Sequence, residues 1–168
     1  SITMFLVALQ FDFWVIAVLM AAVAGSALGF LQHNFNPARI FMGDTGSMFL
    51  GYTIAAISVL GAMKSAATIA LIVPIVALGL PIMDTAFAII RRFTSGRPIF
   101  KPDKGHLHHR LLAMGLTQKQ AVLLMYVISG CLGLSAIAVT EVNSRMAMAI
   151  IVILVAIAFI GAKNIGLL

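Results

Sequence analysis

The chain has 168 residues, of which 62% are hydrophobic and 10% are charged, with a net charge of +6 and a mean hydropathy of +1.11. Soluble domains carry about 25% charged residues, so this composition excludes a soluble globular protein. It predicts an α-helical membrane protein, because uncharged runs of roughly 18 or more residues are candidates for membrane-spanning helices.

Six hydrophobic runs follow one another along the chain. The first, residues 1–11, is too short to cross a bilayer and lacks the initiator Met and basic segment of a signal peptide. We interpret it as the end of a helix that begins upstream, and expect residues 1–168 to be a single membrane domain from the C-terminal part of a longer protein. The longer runs are Phe13–Leu31, Thr45–Met63, Ser65–Ile90, Gln120–Thr140 and Met146–Ala162. The sequence therefore predicts an all-α polytopic transmembrane helical bundle, with about five complete spans plus the end of a sixth.

Positive charge is distributed unevenly among the connections between these runs. Of the 11 Lys and Arg residues, only Lys64 and Arg145 fall outside residues 32–47, residues 91–119 and the C-terminal end. The positive-inside rule therefore predicts that those two loops and the C-terminus are cytoplasmic and that the remaining turns face outward. Membrane topology accounts for the basic charge, so we expect no nucleic-acid partner. Cys131 is the single cysteine and cannot form an intramolecular disulfide.

The run from Ser65 to Ile90 contains two prolines and one acidic residue. Pro74 and Pro81 each remove a backbone donor and predict a bent helix. Asp84 is an ionisable residue inside a span, which makes it a functional candidate. Two roles remain open for it, pairing with an arginine of the following loop or lining the inner end of a cavity.

The first polar stretch is "HNFNPARIFMGDTGS", residues 33–47. Its proline and its glycine pair predict a compact turn that leads into a helix beginning near Ser47. Asp44 would then lie close to the N-terminus of a spanning helix. One interpretation is that Asp44 or a neighbour caps this helix. The other is that Asp44 is a hard oxygen ligand for Mg²⁺, with glycines that let phosphate approach the backbone.

The second polar stretch is "RRFTSGRPIFKPDKGHLHHRLLAMGL", residues 91–116. Anchoring at anionic lipid explains Arg91 and Arg92 but does not explain "HLHH". Imidazoles bind transition metals, but the stretch has no cysteine partner and no HExxH spacing, which argues against zinc. Histidines among lysines and arginines fit better with holding a pyrophosphate, whose oxygens gain charge during phosphoryl transfer.

The combination of "FMGDTGS" with "KPDKGHLHHRLLAMGL" about sixty residues later resembles the polyprenyl-phosphate N-acetylhexosamine-1-phosphate transferases. These bacterial membrane enzymes load a sugar phosphate onto a lipid carrier. The "HLHH" form is similar to the branch that uses UDP-N-acetylglucosamine for teichoic-acid linkage units or lipopolysaccharide O-antigen. The peptidoglycan branch typically has three consecutive histidines. The resemblance covers essentially the whole chain, but the adjacent aspartate pair and the NxxDGxDG-type loop of the family are absent.

The resemblance implies roles for nine residues. Asp44 matches the Mg²⁺-binding aspartate, Phe41 the aromatic residue on which uracil stacks, and Asn34 the polar residue of the same loop. The histidine motif, expected to hold the diphosphate, consists of His106, His108 and His109. The basic residues expected to assist it are Lys101, Lys104 and Arg110.

The resemblance also implies a reaction, a cofactor and a location. GlcNAc-1-phosphate would pass from UDP-N-acetylglucosamine to undecaprenyl phosphate with release of UMP, using Mg²⁺ or in its place Mn²⁺. The site would face the cytoplasm from the bacterial cytoplasmic membrane. Another UDP-HexNAc donor, such as UDP-MurNAc-pentapeptide, and a homodimer remain open. We expect the isolated fragment to be inactive, because the family's upstream carboxylates are absent.

Two alternatives belong to other functional classes. In a transporter segment, Asp84 and the bent helix would form part of an ion path. A non-catalytic membrane assembly module would bind partners and would not depend on Asp44 or on the histidines.

Overall fold

The computed structural model describes residues 1–62, 67–96, 98 and 105–166, and within these ranges the chain forms helices and turns without strands. The helices, in chain order, are α1 (Ile2–Gln10), α2 (Trp14–Asn34), α3 (Gly43–Ala62), α4 (Ala67–Ala77), α5 (Gly79–Thr94), α6 (Leu107–Ala113), α7 (Gln118–Glu141) and α8 (Ser144–Ile165). The predicted all-α helical bundle is confirmed.

Three helices of the described chain, α2, α7 and α8, are long and apolar enough to cross a membrane. A fourth span results if α4 and α5 are counted together as one bent span. The remaining predicted run forms α3, which has 20 residues and ends where the described range stops. Three or four of the roughly five predicted complete spans are thus accounted for in the described ranges.

The outer surface of α8 is apolar. Met148, Val152, Val155 and Phe159 follow one another at helical spacing, and each exposes more than half of its surface. A soluble protein would rarely leave such a stripe in contact with water, whereas lipid chains cover it at no cost. Together with the spanning helices, this surface makes the chain a multi-pass membrane protein.

The bend between α4 and α5 has a local cause. The axes of residues 71–77 and 79–94 diverge by 74°. Pro81 is the third residue of α5, so it has no N–H for the carbonyl of Ala77, and its ring would collide with that carbonyl in a continuous helix. Pro74 lies inside α4. The predicted bend is confirmed, and its position one turn before Pro81 follows from proline geometry.

The chain divides into two compact units, and the prediction of a single membrane domain stays a prediction. Unit 1 contains Ser1–Ile75 and Ala136–Glu141. In it, α2 packs against α1 and α3. Its core residues are Met4, Ala8, Ile16, Ala17, Met20 and Ile57.

Unit 2 contains Val76–Ser135 and Val142–Leu168. Its core residues are Phe87, Leu107, Leu111, Ala121 and Ala162. Two caps begin its long helices: Thr117 and Gln120 form a capping box at α7, and the Asn143 side chain accepts the N–H of Met146 at α8.

Candidate active site

The loop between α2 and α3 folds back onto the end of α2. The Asn34 side-chain amide donates to the Ile40 carbonyl over 2.9 Å, and the Arg39 N–H donates to the His33 carbonyl over 2.8 Å. The Asn36–Pro37 peptide bond is cis. Asn34 therefore closes the loop, and its substrate-binding role stays a prediction.

The "GDTGS" turn begins α3 earlier than predicted, at Gly43 rather than near Ser47. Gly43 has a φ of +66°, in the left-handed region that favours glycine. The Met42 side chain lies against Gly46 so closely that a Cβ there would collide with it. Both glycines thus have roles in the local structure, and neither role requires a phosphate.

Asp44 lies in the first turn of α3 and is exposed. Its backbone carbonyl accepts a hydrogen bond from the Ser47 hydroxyl over 3.0 Å. Its side-chain carboxylate forms no hydrogen bond with any residue in the described ranges. The capping role is therefore not observed for this side chain. The positive end of the helix dipole favours the negative charge at this position.

The surroundings of Asp44 are compatible with a magnesium ion. Mg²⁺ in phosphoryl-transfer sites is commonly bound by one or two carboxylates, with substrate phosphates and water supplying the other oxygens. Asp44 supplies one exposed carboxylate. Within the described ranges, no three His, Cys, Asp or Glu side chains form a metal-binding group.

Phe41 precedes this turn and is 83% exposed. An aromatic ring with this exposure is accessible for stacking on a planar base. Its predicted contact with uracil stays a prediction.

The second polar stretch is organised around Asp84, which α5 carries in unit 2. One carboxylate oxygen, Oδ2, lies 3.0 Å from Nδ1 of His106. The other, Oδ1, accepts the N–H of Leu107 over 2.8 Å. His106 is the N-cap of α6 and Leu107 is its first residue, so Asp84 holds both the imidazole and the start of this helix.

Helix α6 presents the remaining histidines. Its buried residues, Leu107 and Leu111, are one turn apart and face the core of unit 2. His108 is half-buried and His109 is exposed, and their rings meet edge to face with centroids 5.6 Å apart. The structure therefore gathers the three histidines at the first turn of α6.

The basic residues of this stretch differ in what the structure shows of them. Nη1 of Arg110 lies 3.7 Å from where a Cβ on Gly166 would be, so this guanidinium is close to the C-terminal end of α8. The Arg91 guanidinium lies against Gly105, leaving no room for a side chain there. Lys101 and Lys104 lie outside the described residues, so their predicted assisting roles stay predictions.

Asp84 is paired with His106. Pairing with an arginine of the following loop, one of the two roles left open for it, stays a prediction. Asp84 also lines a cavity of about 410 Å³ in unit 2, whose other walls are almost entirely apolar side chains of α5, α7 and α8. The charge inside a hydrophobic run marked Asp84 as functional, but the sequence did not identify its partner.

The sequence-predicted residues fall into two groups. Asn34, Phe41 and Asp44 belong to unit 1, whereas the histidines and Arg110 belong to unit 2. Within each group, the residues that the structure describes lie on one short segment. Fold and site thus define a multi-pass helical membrane protein with an exposed carboxylate at a helix start and a histidine cluster ordered by a second carboxylate.

Comparison with known proteins identifies the family. Residues 1–62 match the model of glycosyl transferase family 4. The chain is 48% identical, over 149 residues, to a probable undecaprenyl-phosphate N-acetylglucosaminyl 1-phosphate transferase of Bacillus subtilis, with 89% of this chain and 42% of the relative covered. The chain belongs to glycosyl transferase family 4.

Two other relatives are also similar to most of this chain. The chain is 41% identical to the decaprenyl-phosphate N-acetylglucosaminephosphotransferase of Mycobacterium leprae, covering 77% of this chain and 35% of the relative. It is 34% identical to the phospho-N-acetylmuramoyl-pentapeptide-transferase of Alkaliphilus oremlandii, covering 77% and 39%. The chain therefore spans less than half the length of these relatives. No solved structure matches it.

Proposed function

We propose that the whole protein transfers GlcNAc-1-phosphate from UDP-N-acetylglucosamine to undecaprenyl phosphate. The observation that carries this proposal is the 48% identity to the Bacillus subtilis relative, which is named for transfer of N-acetylglucosaminyl 1-phosphate. An aligned stretch of 149 residues in a chain of 168 includes both polar stretches wherever it begins.

The proposed reaction exchanges one phosphorus–oxygen bond for another. An oxygen of the lipid phosphate attacks the phosphorus that carries the sugar. The bond from this phosphorus to the oxygen that it shares with the UMP phosphorus breaks, and UMP leaves with the bonding electrons. The products are UMP and a lipid diphosphate that carries the sugar. Both substrates are anionic, so the protein must mainly position them and neutralise their charge.

The described side chains suit these two tasks. His106, His108 and His109 would donate hydrogen bonds to diphosphate oxygens, and Arg110 would add a positive charge. The exposed ring of Phe41 would receive the uracil. Asp44 would hold Mg²⁺, or Mn²⁺ in its place, and the bound ion would offset negative charge on the phosphates.

A membrane location suits a reaction between a lipid and a nucleotide. The acceptor would arrive along the bilayer and the donor from the cytoplasm, so the reacting groups belong at helix ends. By the positive-inside rule, the basic loops support an orientation in which these ends lie on the inner face of a bacterial cytoplasmic membrane.

A second donor is favoured by a specific observation. The 34% identity to a phospho-N-acetylmuramoyl-pentapeptide-transferase supports the same chemistry on UDP-MurNAc-pentapeptide. The higher identity to the N-acetylglucosamine enzymes makes UDP-N-acetylglucosamine the first donor to test.

The test is transfer of labelled GlcNAc-phosphate into lipid by the whole protein in detergent, with Mg²⁺ or EDTA. We expect Mg²⁺-dependent labelling, and a loss of at least about 10²-fold in Asp44→Asn, because a charged ligand to the metal is removed. Asp12→Asn is the matched control. Asp12 is also an exposed aspartate, but lies in a turn predicted to face outward, so this variant should keep its activity.

The remaining outcomes separate the alternatives. Labelling only from another UDP-HexNAc would keep the chemistry and correct the donor. No labelling from any UDP-sugar by folded protein would reject the transferase and favour the assembly module. Full activity in Asp44→Asn would reject the metal assignment.

A further inference from the structure

We propose that Asp84 is a positioning residue for the transfer reaction, which orients His106 so that the Nε2 atom of its ring contacts the diphosphate. This inference rests on the proposed function and assigns a role to a carboxylate that the reaction does not otherwise use. Asp84 acts through His106 and does not itself touch the substrate.

The hydrogen-bond pattern decides which ring nitrogen carries the proton. The Leu107 N–H can only donate, so Oδ1 of Asp84 is an acceptor. An ionised carboxylate accepts at both oxygens, so the contact of 3.0 Å at Oδ2 requires a proton on Nδ1 of His106. With Nδ1 occupied, Nε2 is the ring nitrogen that a ligand can contact, and it donates to a diphosphate oxygen when the ring carries a second proton as imidazolium. The half-exposed His106 side chain, 38% accessible, is consistent with such a contact.

The two contacts fix His106 through different atoms. One hydrogen bond orients the imidazole, and the other ties the next peptide N–H to the same carboxylate. Leu107 is buried in the core of unit 2, so the helix start is anchored by packing as well. Asp84 itself lies in the regular part of α5. A histidine at the edge of a loop is thereby held by a helix, which gives a more precise geometry than a loop alone.

The surroundings of Asp84 indicate that these contacts are required and not incidental. The carboxylate is 25% exposed and forms part of the wall of the apolar cavity. An ionised group in such a wall is costly unless donors satisfy it. The Leu107 N–H and the His106 imidazole are those donors. An aliphatic residue would suit this wall better if packing were its only task.

The most informative variant is Asp84→Asn. It keeps the shape of the side chain at position 84 but reverses which ring nitrogen of His106 carries the proton. The asparagine oxygen can still accept the Leu107 N–H, while its amide group donates to Nδ1 of His106. Nδ1 must then be unprotonated, so the ring cannot become an imidazolium and its single proton lies on Nε2. The variant therefore lacks the positive charge that the wild-type ring can present to the diphosphate. We expect kcat to fall about 10²-fold. The KM for UDP-N-acetylglucosamine and the midpoint of thermal unfolding should change little.

Nitrogen NMR of the whole protein, labelled with ¹⁵N-histidine, measures the proton position directly. The His106 signal is assigned as the one lost in His106→Gln. At a pH where the ring is neutral, we expect the proton on Nδ1 in the wild type and on Nε2 in Asp84→Asn. This reversal tests the contact itself, whereas the kcat measurement tests whether the contact serves the reaction.

A double-mutant cycle completes the test. If Asp84 acts through His106, Asp84→Asn should cause no further loss of kcat in the His106→Gln background. Asp84→Glu keeps a carboxylate and should restore the proton to Nδ1 with part of the activity, even if Asp84→Asn folds poorly.

Three results would overturn the inference. They are wild-type kcat in Asp84→Asn, an unchanged proton position in that variant, and full additivity of the Asp84 and His106 losses. Absence of transfer from every UDP-sugar by the wild type would instead reject the proposed function. The NMR result would still report on the contact between Asp84 and His106.

Discussion

At the scale of single residues, Asp44 and Asp84 lie in different environments. Asp44 is exposed in the first turn of α3, and its carboxylate has no partner in the described part of the chain. Asp84 is partly buried and accepts two hydrogen bonds. An unengaged carboxylate can bind a cation, whereas a satisfied one orders its neighbours. The same residue type therefore supports a metal-binding proposal at one position and a positioning role at the other.

The backbone conformation at Gly43 favours glycine over residues with a side chain. Its φ of +66° is unfavourable for residues with a Cβ, so Gly43→Ala should lower the free energy of unfolding by about 1 kcal/mol. The change would appear as a lower midpoint in a thermal unfolding scan of detergent-solubilised protein.

Gly51→Ala is the matched control for this prediction. Gly51 lies on the same helix with ordinary backbone angles, and a Cβ there meets no atom within 4 Å. Alanine favours helix over glycine, so this variant should be neutral or slightly more stable. Equal midpoints for the two variants would show that the left-handed conformation at Gly43 is not important for stability.

At the scale of helices, the local sequence determines where a helix begins and ends more clearly than it determines which helices contact one another. The hydroxyl of Thr117 accepts the Gln120 N–H, and the Gln120 side chain accepts the Thr117 N–H, which completes a capping box from a pattern readable in the sequence. Pro81 likewise explains the break before α5. The beginning of α3 was predicted four residues too late, because its glycines and Asp44 were interpreted as turn residues. Gly43 keeps a turn-like φ of +66° where the helix starts, and Asp44 already belongs to the first turn.

The capping box predicts a specific loss of stability. Thr117→Ala removes the hydroxyl that accepts the Gln120 N–H and should destabilise the start of α7 by about 1 kcal/mol. Hydrogen exchange should become faster at the first turn of α7 but not at its centre.

Thr117→Ser keeps a hydroxyl in the same place and is the control. Its exchange rates should remain close to those of the wild type. Equally fast exchange in the serine variant would assign the effect to the lost methyl group rather than to the cap.

At the scale of the whole molecule, contacts within each unit agree with the predicted topology. In unit 1, the Gln10 side chain contacts Thr140 and Glu141, so two turns that were both predicted to face outward lie at the same end. In unit 2, Arg110 of the predicted cytoplasmic loop lies near Gly166 at the predicted cytoplasmic C-terminal end. The side of the membrane that each end faces stays a prediction from charge.

Cysteine labelling in intact cells tests this orientation. In a background without other cysteines, Cys131→Ser included, Ser144→Cys should react with a membrane-impermeant maleimide from outside. Ser95→Cys should react only after the membrane is opened. Both serines are exposed and lie at the ends of helices, so their intrinsic accessibility is matched. The reverse pattern would invert the topology and place the histidines outside.

The sequence by itself determined the all-α membrane class, the positions of the hydrophobic helices and the two polar stretches. These features depend on composition and local pattern. A bilayer requires long uncharged helices, and a charged residue within a span is costly and therefore rare outside functional sites. Tertiary structure alone decided that Asp84 pairs with His106, that Asn34 closes its own loop, and that a cavity lies beside α5. Such contacts depend on how separate segments approach one another, and a residue's type and spacing do not specify that approach.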